Sequence, residues 1–279
     1  MTKKTVLITG SSSGFGKLAA RTFHQNGWNV IASMRSPEKE TDLADLDDVL
    51  VTRLDVTDKK SIAQAVRDGV QRFGAIHVLV NNAGYGGHML LEQATDESIR
   101  AMYETNVFGV MNVTRAVLPL MRQQNEGCVI NVTSMGGMMG VPTAAVYSST
   151  KFALQGLTEA MAFEYKPLNI LFKTVLPGAY PTTRFNTNTE KSFQSGDAEL
   201  VAYAQKLMTH LLGVSEQMAT QSGSESDPQE VADRIYTCAT SQTPVHNPVG
   251  ADAEMLLSMM GAPPRQEFLD NMTQILLPS

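Results

Sequence analysis

Tyr147 and Lys151 stand four residues apart in the run Ala145-Val-Tyr-Ser-Ser-Thr-Lys151, a spacing that stacks a phenol and an ammonium on one face of a helix. In outline the pair is a proton-transfer device. A free tyrosine has a pKa of about 10 and is a poor acid near neutrality, but a nearby cation favours the phenolate and draws that value toward the working range. An ordinary amphipathic helix with a surface lysine has the same spacing, so the rest of the chain must decide between the two readings.

The run Lys3-Lys-Thr-Val-Leu-Ile-Thr-Gly10 reads as a buried strand leading into Gly10-Ser-Ser-Ser-Gly14-Phe-Gly16, and a helical pattern follows from Lys17 to Asn26. Strand, glycine turn and helix form a phosphate cradle. Glycines let the backbone approach the anion, and the helix start offers free N–H groups and a positive dipole end. The spacing is Gly-x-x-x-Gly-x-Gly rather than the Gly-x-Gly-x-x-Gly of the dinucleotide fingerprint. A flexible strand-to-helix loop is the plainer reading of the same residues.

Taken together, Thr9-Gly-Ser-Ser-Ser-Gly-Phe-Gly16, Asn81-Asn-Ala-Gly84, Asn106, Ser134 and Tyr147-x-x-x-Lys151 resemble, in order and spacing, the motif set of the short-chain dehydrogenase/reductase family. The resemblance runs from about Lys3 to about Pro181 and resumes at Asn247-Pro-Val-Gly-Ala-Asp252. The run Trp28-Asn-Val-Ile-Ala-Ser-Met-Arg35 and the C-terminal extension resemble the subgroup of steroid and retinol dehydrogenases and related carbonyl reductases. The resemblance implies a single-domain Rossmann fold over residues 1–279, with 184–227 as a substrate cap. By it, Ser134 holds a substrate carbonyl oxygen, Tyr147 protonates that oxygen as hydride arrives from a nicotinamide, and Lys151 tunes the phenol and grips the nicotinamide ribose. Asn106 anchors a water that links Lys151 to solvent. The implied activity is reversible reduction of ketones or aldehydes to alcohols; a non-redox epimerase or dehydratase using the same pair, and a cofactor-sensing binding protein, are the rival classes.

Cofactor choice turns on the end of the second strand, where a carboxylate would favour NAD and a basic group NADP. Ser33-Met34-Arg35 occupies that place, so the expectation is NADP(H), held through the arginine fork. The remaining cofactor contacts expected from the resemblance are Gly10, Ser12, Ser13, Gly14, Phe15 and Gly16 at the pyrophosphate, and Asp55 and Val56 at the adenine. Asn82, Ala83 and Gly84 follow along the cofactor, Tyr147 and Lys151 lie at the ribose, and Pro177, Gly178 and Thr182 at the carboxamide. An Asp after a strand is also an ordinary helix cap, although Asp58 is better placed for that. Asn81 is expected to tie strands together. Pocket walls are expected at Tyr85, His88, Met135, Met138, Met139 and Tyr180, an apolar, adaptable set suited to bulky carbonyl compounds.

Composition agrees with one α/β domain: 279 residues, 43% hydrophobic, suffice for a sizeable core. A net charge of −6 and no basic cluster make nucleic acid and membranes poor partners. Two cysteines, Cys128 and Cys238, read as small buried residues in a reducing compartment. No secretory signal precedes the first strand, so the cytoplasm is expected. His24, His77, His210 and His246 lack companions at ligand spacing, and no metal site is expected. A homodimer or homotetramer packed through helices near 106–124 and 147–166 is implied by the resemblance.

Along the chain, short β-rich apolar runs near 4–9, 28–34, 49–54, 76–81, 128–133, 170–176 and 245–250 alternate with helical periods. That alternation predicts a doubly wound, seven-stranded parallel sheet with helices on both faces and a site at the carboxyl ends of the strands. Residues 184–227 break the pattern and enclose an amphipathic stretch from Ala198 to Thr220.

Overall fold

In the computed structural model, which describes residues 3–180, 196–222 and 227–261, the apolar runs become one parallel sheet. Its strands are β1 (Thr5–Thr9), β2 (Asn29–Met34), β3 (Val49–Arg53), β4 (Val78–Asn81), β5 (Gly127–Val132), β6 (Ile170–Pro177) and β7 (His246–Val249). Their order is β3-β2-β1-β4-β5-β6-β7. The order reverses between β1 and β4, and that switch point is where the carboxyl ends of an open sheet leave a crevice.

Connecting helices are α1 (Gly14–Gln25), α2 (Lys59–Phe73), α3 (Asp96–Tyr103), α4 (Gly109–Gln124), α5 (Ala145–Tyr165), α6 (Ala198–Ser222), α7 (Pro228–Thr240) and α8 (Ala251–Met260). Strand alternation assigns the two cores. Val6 and Ile8 of β1 join Phe23, Trp28, Val231 and Ile235 on the α1/α7 face, whereas Leu7 joins Ile62, Val113, Val117 and Met121 on the α2/α4 face. A strand covered on both sides has a largely apolar sequence, and all five residues of β1, its two terminal threonines included, are buried. Burying a side chain such as Phe23 stabilises by roughly 1.5–3 kcal/mol.

Buried polar side chains knit the core elements together. Asn81 donates to Asn131 Oδ1 at 2.9 Å and to Thr114 Oγ1 at 3.0 Å, tying β4 to β5 and α4. Helix α1 begins three residues earlier than the apolar period suggests, because the glycine turn folds directly into its first turn. The amphipathic stretch of the cap becomes α6, which rests on α8 with Ala204 and Leu207 buried; the rest of the cap, apart from 196–222 and 227, lies outside the described residues. Among the described residues no helix is long and apolar enough to cross a membrane.

Candidate active site

Helix α5 starts at Ala145, where Ser148 N donates to Ala144 O at 2.7 Å, so Tyr147 lies in the first turn and Lys151 one turn later. Lys151 is 7% exposed; its Nζ donates to Val132 O at the end of β5 over 3.0 Å and sits 5.6 Å from the Tyr147 ring centroid. Ser134, just past β5, accepts from Gly136 N at 3.1 Å, and its hydroxyl is hydrogen-bonded to the Tyr147 phenol. The next turn lies flat on α5: a Cβ added at Gly137 would stand 2.9 Å from Lys151 O.

The fourth group arrives through a π-helical turn, Glu104–Phe108, between α3 and α4. Such turns insert one residue into a helix and often carry function. Asn106 there is 1% exposed. Its Nδ2 donates to Tyr85 O at 2.8 Å and Thr150 Oγ1 at 3.2 Å, and its Oδ1 accepts from Tyr85 N at 3.1 Å. Asn106, Ser134, Tyr147 and Lys151, dispersed from 106 to 151 in the sequence, therefore gather at the carboxyl ends of β4 and β5.

The electrostatics differ from the sequence expectation. Burial pushes the Tyr147 phenol up to about 12, and the Ser134 hydrogen bond only partly opposes it. Burial likewise pulls Lys151 down to about 8. Desolvation penalises whichever form is charged, and it is the largest cause of both shifts. The phenol is therefore protonated across the neutral range and set up as a proton donor.

The glycine turn is built as a cradle. Gly10 has φ +71°, and a Cβ at Gly16 would stand 2.4 Å from Gly10 O and from Asn82 Nδ2, a gap only glycine leaves. Helix α1, like α5 and α8, has no side-chain cap. Its first N–H groups are thus left for an anion, as a pyrophosphate-binding helix requires. Gly14 and Ser12 are exposed beside it, with Ser13 and Phe15 half-buried.

Other expected cofactor residues take mixed positions. Asn82 Nδ2 donates to Thr9 O at 2.9 Å and Gly10 O at 3.2 Å, so this side chain braces the cradle itself. Thr9 Oγ1 accepts from the backbone N–H groups of Asn82 and Ala83, both at 3.0 Å. Gly84 is exposed, and a Cβ on it would lie 3.1 Å from Asn106 Oδ1 and 3.8 Å from Lys151 Nζ. Arg35 is exposed at the end of β2. Asp55 Oδ1 accepts from Thr57 N at 2.9 Å, Val56 is buried, and the α2 cap is Asp58. Pro177 and Gly178 close β6, with Gly178 N donating to Val249 O at 2.9 Å; Thr182 lies outside the described residues.

Tyr180 is the clearest departure among the expected pocket residues. It is 5% exposed, packs edge-on against Phe15 with centroids 5.3 Å apart, and donates to Glu230 Oε2 on α7 at 3.4 Å. An aromatic ring with a polar tip gains more by filling the α1/α7 core and reaching a carboxylate than by facing a cleft. Tyr85 is half-buried, with its phenol pushed up by burial, and Met138 is half-buried. Met135 and Met139 form a satellite cluster with Leu256, Met259 and Met260 of α8.

Two contributors escaped the sequence reading. Asp252, at the start of α8, accepts from Ala179 N at 2.8 Å through Oδ2 and holds the turn after Gly178. The methionines of α8 are the other; the Met255-x-x-x-Met259-Met260 spacing was the available signal.

Residues 4–192 match the short chain dehydrogenase family. The chain belongs to that family. An uncharacterized oxidoreductase of Bacillus subtilis, YusZ, is 39% identical over 254 residues, covering 87% of this chain and 86% of that protein. A 3-ketodihydrosphingosine reductase of Bacteroides thetaiotaomicron is 40% identical over 199 residues, 71% of this chain and 72% of that one. The crystal structure of a short-chain dehydrogenase from Streptomyces avermitilis superposes with a TM-score of 0.80 at 33% identity, covering 97% of this chain and 96% of its own. Two structures at 25% identity carry a nicotinamide: a Brucella melitensis 3-ketoacyl-(acyl-carrier-protein) reductase complexed with NADH (TM-score 0.72, 89% and 97% covered) and ElxO with NADP bound (0.70, 91% and 100%). This short-chain dehydrogenase is accordingly an NAD(P)-dependent oxidoreductase.

Proposed function

We propose that this short-chain dehydrogenase is an NADP-dependent reductase of bulky, apolar ketones and aldehydes, reversible with the corresponding alcohols. The observation that carries the reading is the placement of the Tyr147 phenol, hydrogen-bonded to Ser134 and stacked one helical turn from Lys151. A bound nicotinamide supplies the hydride. Ser134 then orients the carbonyl oxygen by donating a hydrogen bond, and Tyr147 gives up its phenolic proton as negative charge develops on that oxygen. Lys151 provides the compensating positive charge, and Asn106 fixes the backbone of Tyr85 and the hydroxyl of Thr150 beside it. The free first turn of α1 and the gap at Gly16 fit a pyrophosphate, and Ser12, Ser13 and Gly14 would line it.

Arg35 supports NADP over NAD. It is exposed at the end of β2, and of the carboxylates that follow, Glu40 and Asp42 are held by Lys17 at 3.0 and 2.8 Å, while Glu38 is exposed. Methionines support an apolar substrate, because an unbranched thioether adapts to irregular shapes; the ketone named for the Bacteroides relative is compatible with that class. Phe108, Phe152 and Phe163, exposed on and just before the outer helices α4 and α5, support assembly with a second copy. Two free, buried cysteines suit the cytoplasm.

NADPH consumption against a panel of aryl ketones, diketones, steroids and aldehydes tests the reading. Turnover should drop by about 10²- to 10⁴-fold in Tyr147→Phe while NADPH still binds, and Arg35→Asp should move preference toward NADH. Cofactor binding without turnover of any carbonyl compound would overturn it.

A further inference from the structure

The loop after β4 is fastened at both ends. Near β4, Tyr85 exchanges two backbone hydrogen bonds with the Asn106 side chain, at 3.1 and 2.8 Å. At the far end, Met89 N donates to Thr143 O at 2.6 Å, and His88 Nδ1 lies 2.8 Å from Thr143 Oγ1. Thr143 stands two residues before the first residue of α5 and four before Tyr147.

Thr143 is also strained. Its φ is +63°, the left-handed region that a β-branched residue enters only when its surroundings force it, at a cost of order 1–3 kcal/mol. It is 5% exposed. Its hydroxyl donates to Pro142 O at 2.6 Å, so with its one proton committed, Oγ1 can only accept from His88. His88 must therefore carry its proton on Nδ1. Burial holds the imidazole far below its ordinary pKa, at about 4, which keeps the ring neutral through the neutral range.

We propose that His88 is a positioning residue for the reduction: by donating from Nδ1 to Thr143 it holds the strained turn that opens α5, and so sets Tyr147 against Ser134 and joins that turn to the loop gripped by Asn106. The inference rests on the reductase reading. It needs no contact between His88 and substrate, because the left-handed turn places the helix start.

Two variants and two spectroscopic readouts test it. His88→Ala should lower kcat for carbonyl reduction on the order of 10-fold or more, since small displacements of reacting groups are costly, with NADPH affinity unchanged. His88→Asn, whose amide can donate from the same branch, should restore most of that loss. Hydrogen exchange at the Met89 amide should accelerate in His88→Ala and stay slow in His88→Asn. Nitrogen-15 NMR of the wild type should show the Nδ1–H tautomer. A wild-type kcat in His88→Ala, an Asn variant as impaired as Ala, a rise in KM alone, or an Nε2–H signature would each overturn the proposal. Should the wild type reduce no carbonyl compound, the reductase reading falls, and the exchange and NMR results still judge the clasp.

Discussion

At the scale of the residue, the two titrating groups of the site lean away from charge. Lys151 falls from 10.5 to about 8 and Tyr147 rises from 10.0 to about 12, both through burial. Lys151 loses its positive charge as pH rises past about 8, so kcat/KM for reduction should decline above that pH. In Lys151→Arg, whose guanidinium stays charged, activity should be lower but that limb should vanish from the pH–rate profile. The sign for stability is opposite. Between about 8 and 10.5 the unfolded chain holds the lysine proton that the folded one has released, so stability rises with pH through that window. Only above 10, where the folded chain retains the Tyr147 proton, does the phenol reverse it. Urea midpoints measured across that range, with Lys151→Met as the reference, would show the difference.

At the scale of the element, the site depends on close backbone packing. A Cβ at Gly137 would meet the backbone carbonyl of Lys151 at 2.9 Å; neither backbone can yield without lifting the Ser134 turn from α5. Gly137→Ala should therefore cost on the order of 10-fold or more in turnover, with cofactor affinity, measured by NADPH fluorescence, little changed. Gly16→Ala should do the reverse and abolish cofactor binding first, because its Cβ would stand 2.4 Å from Gly10 O inside the cradle. Remote from the site, Lys173 of β6 is 3% exposed and donates to Cys238 O at 2.7 Å and Ser241 O at 2.9 Å. A cation there also meets the negative end of the α7 dipole. Lys173→Met should destabilise by roughly 1–3 kcal/mol, since the two carbonyls lose their donor, a loss read in the urea midpoint with kcat unchanged.

At the scale of the whole molecule, the parallel sheet places the carboxyl ends of its strands along one edge, and the groups assigned to the cofactor follow β1, β2, β3, β4 and β6 while the catalytic candidates gather beyond β4 and β5. The outer helices carry the exposed rings of Phe152 and Phe163, the latter 79% exposed. In the assembly proposed above, a second copy would cover these rings. Light scattering should give a mass above that of a single chain, and Phe163→Asp should lower it and remove the concentration dependence of Tm.

The sequence by itself determined the seven strands and the shared helix face of Tyr147 and Lys151, because these rest on short-range physics: apolar runs of strand length, glycine turns and the repeat of a helix. Asp58 as the cap of α2 was legible for the same reason, whereas Asn106 and Ser134 were singled out by their resemblance to the family's motif set. What only the tertiary structure decided depends on distant neighbours. Tyr180 turned into the core because Phe15 and Glu230, far away in sequence, offered an edge contact and a hydrogen-bond partner. The α8 methionines reached the site only once β7 had paired with β6. The phenol is pushed up by desolvation, which no spacing encodes and which the Ser134 hydrogen bond only partly opposes.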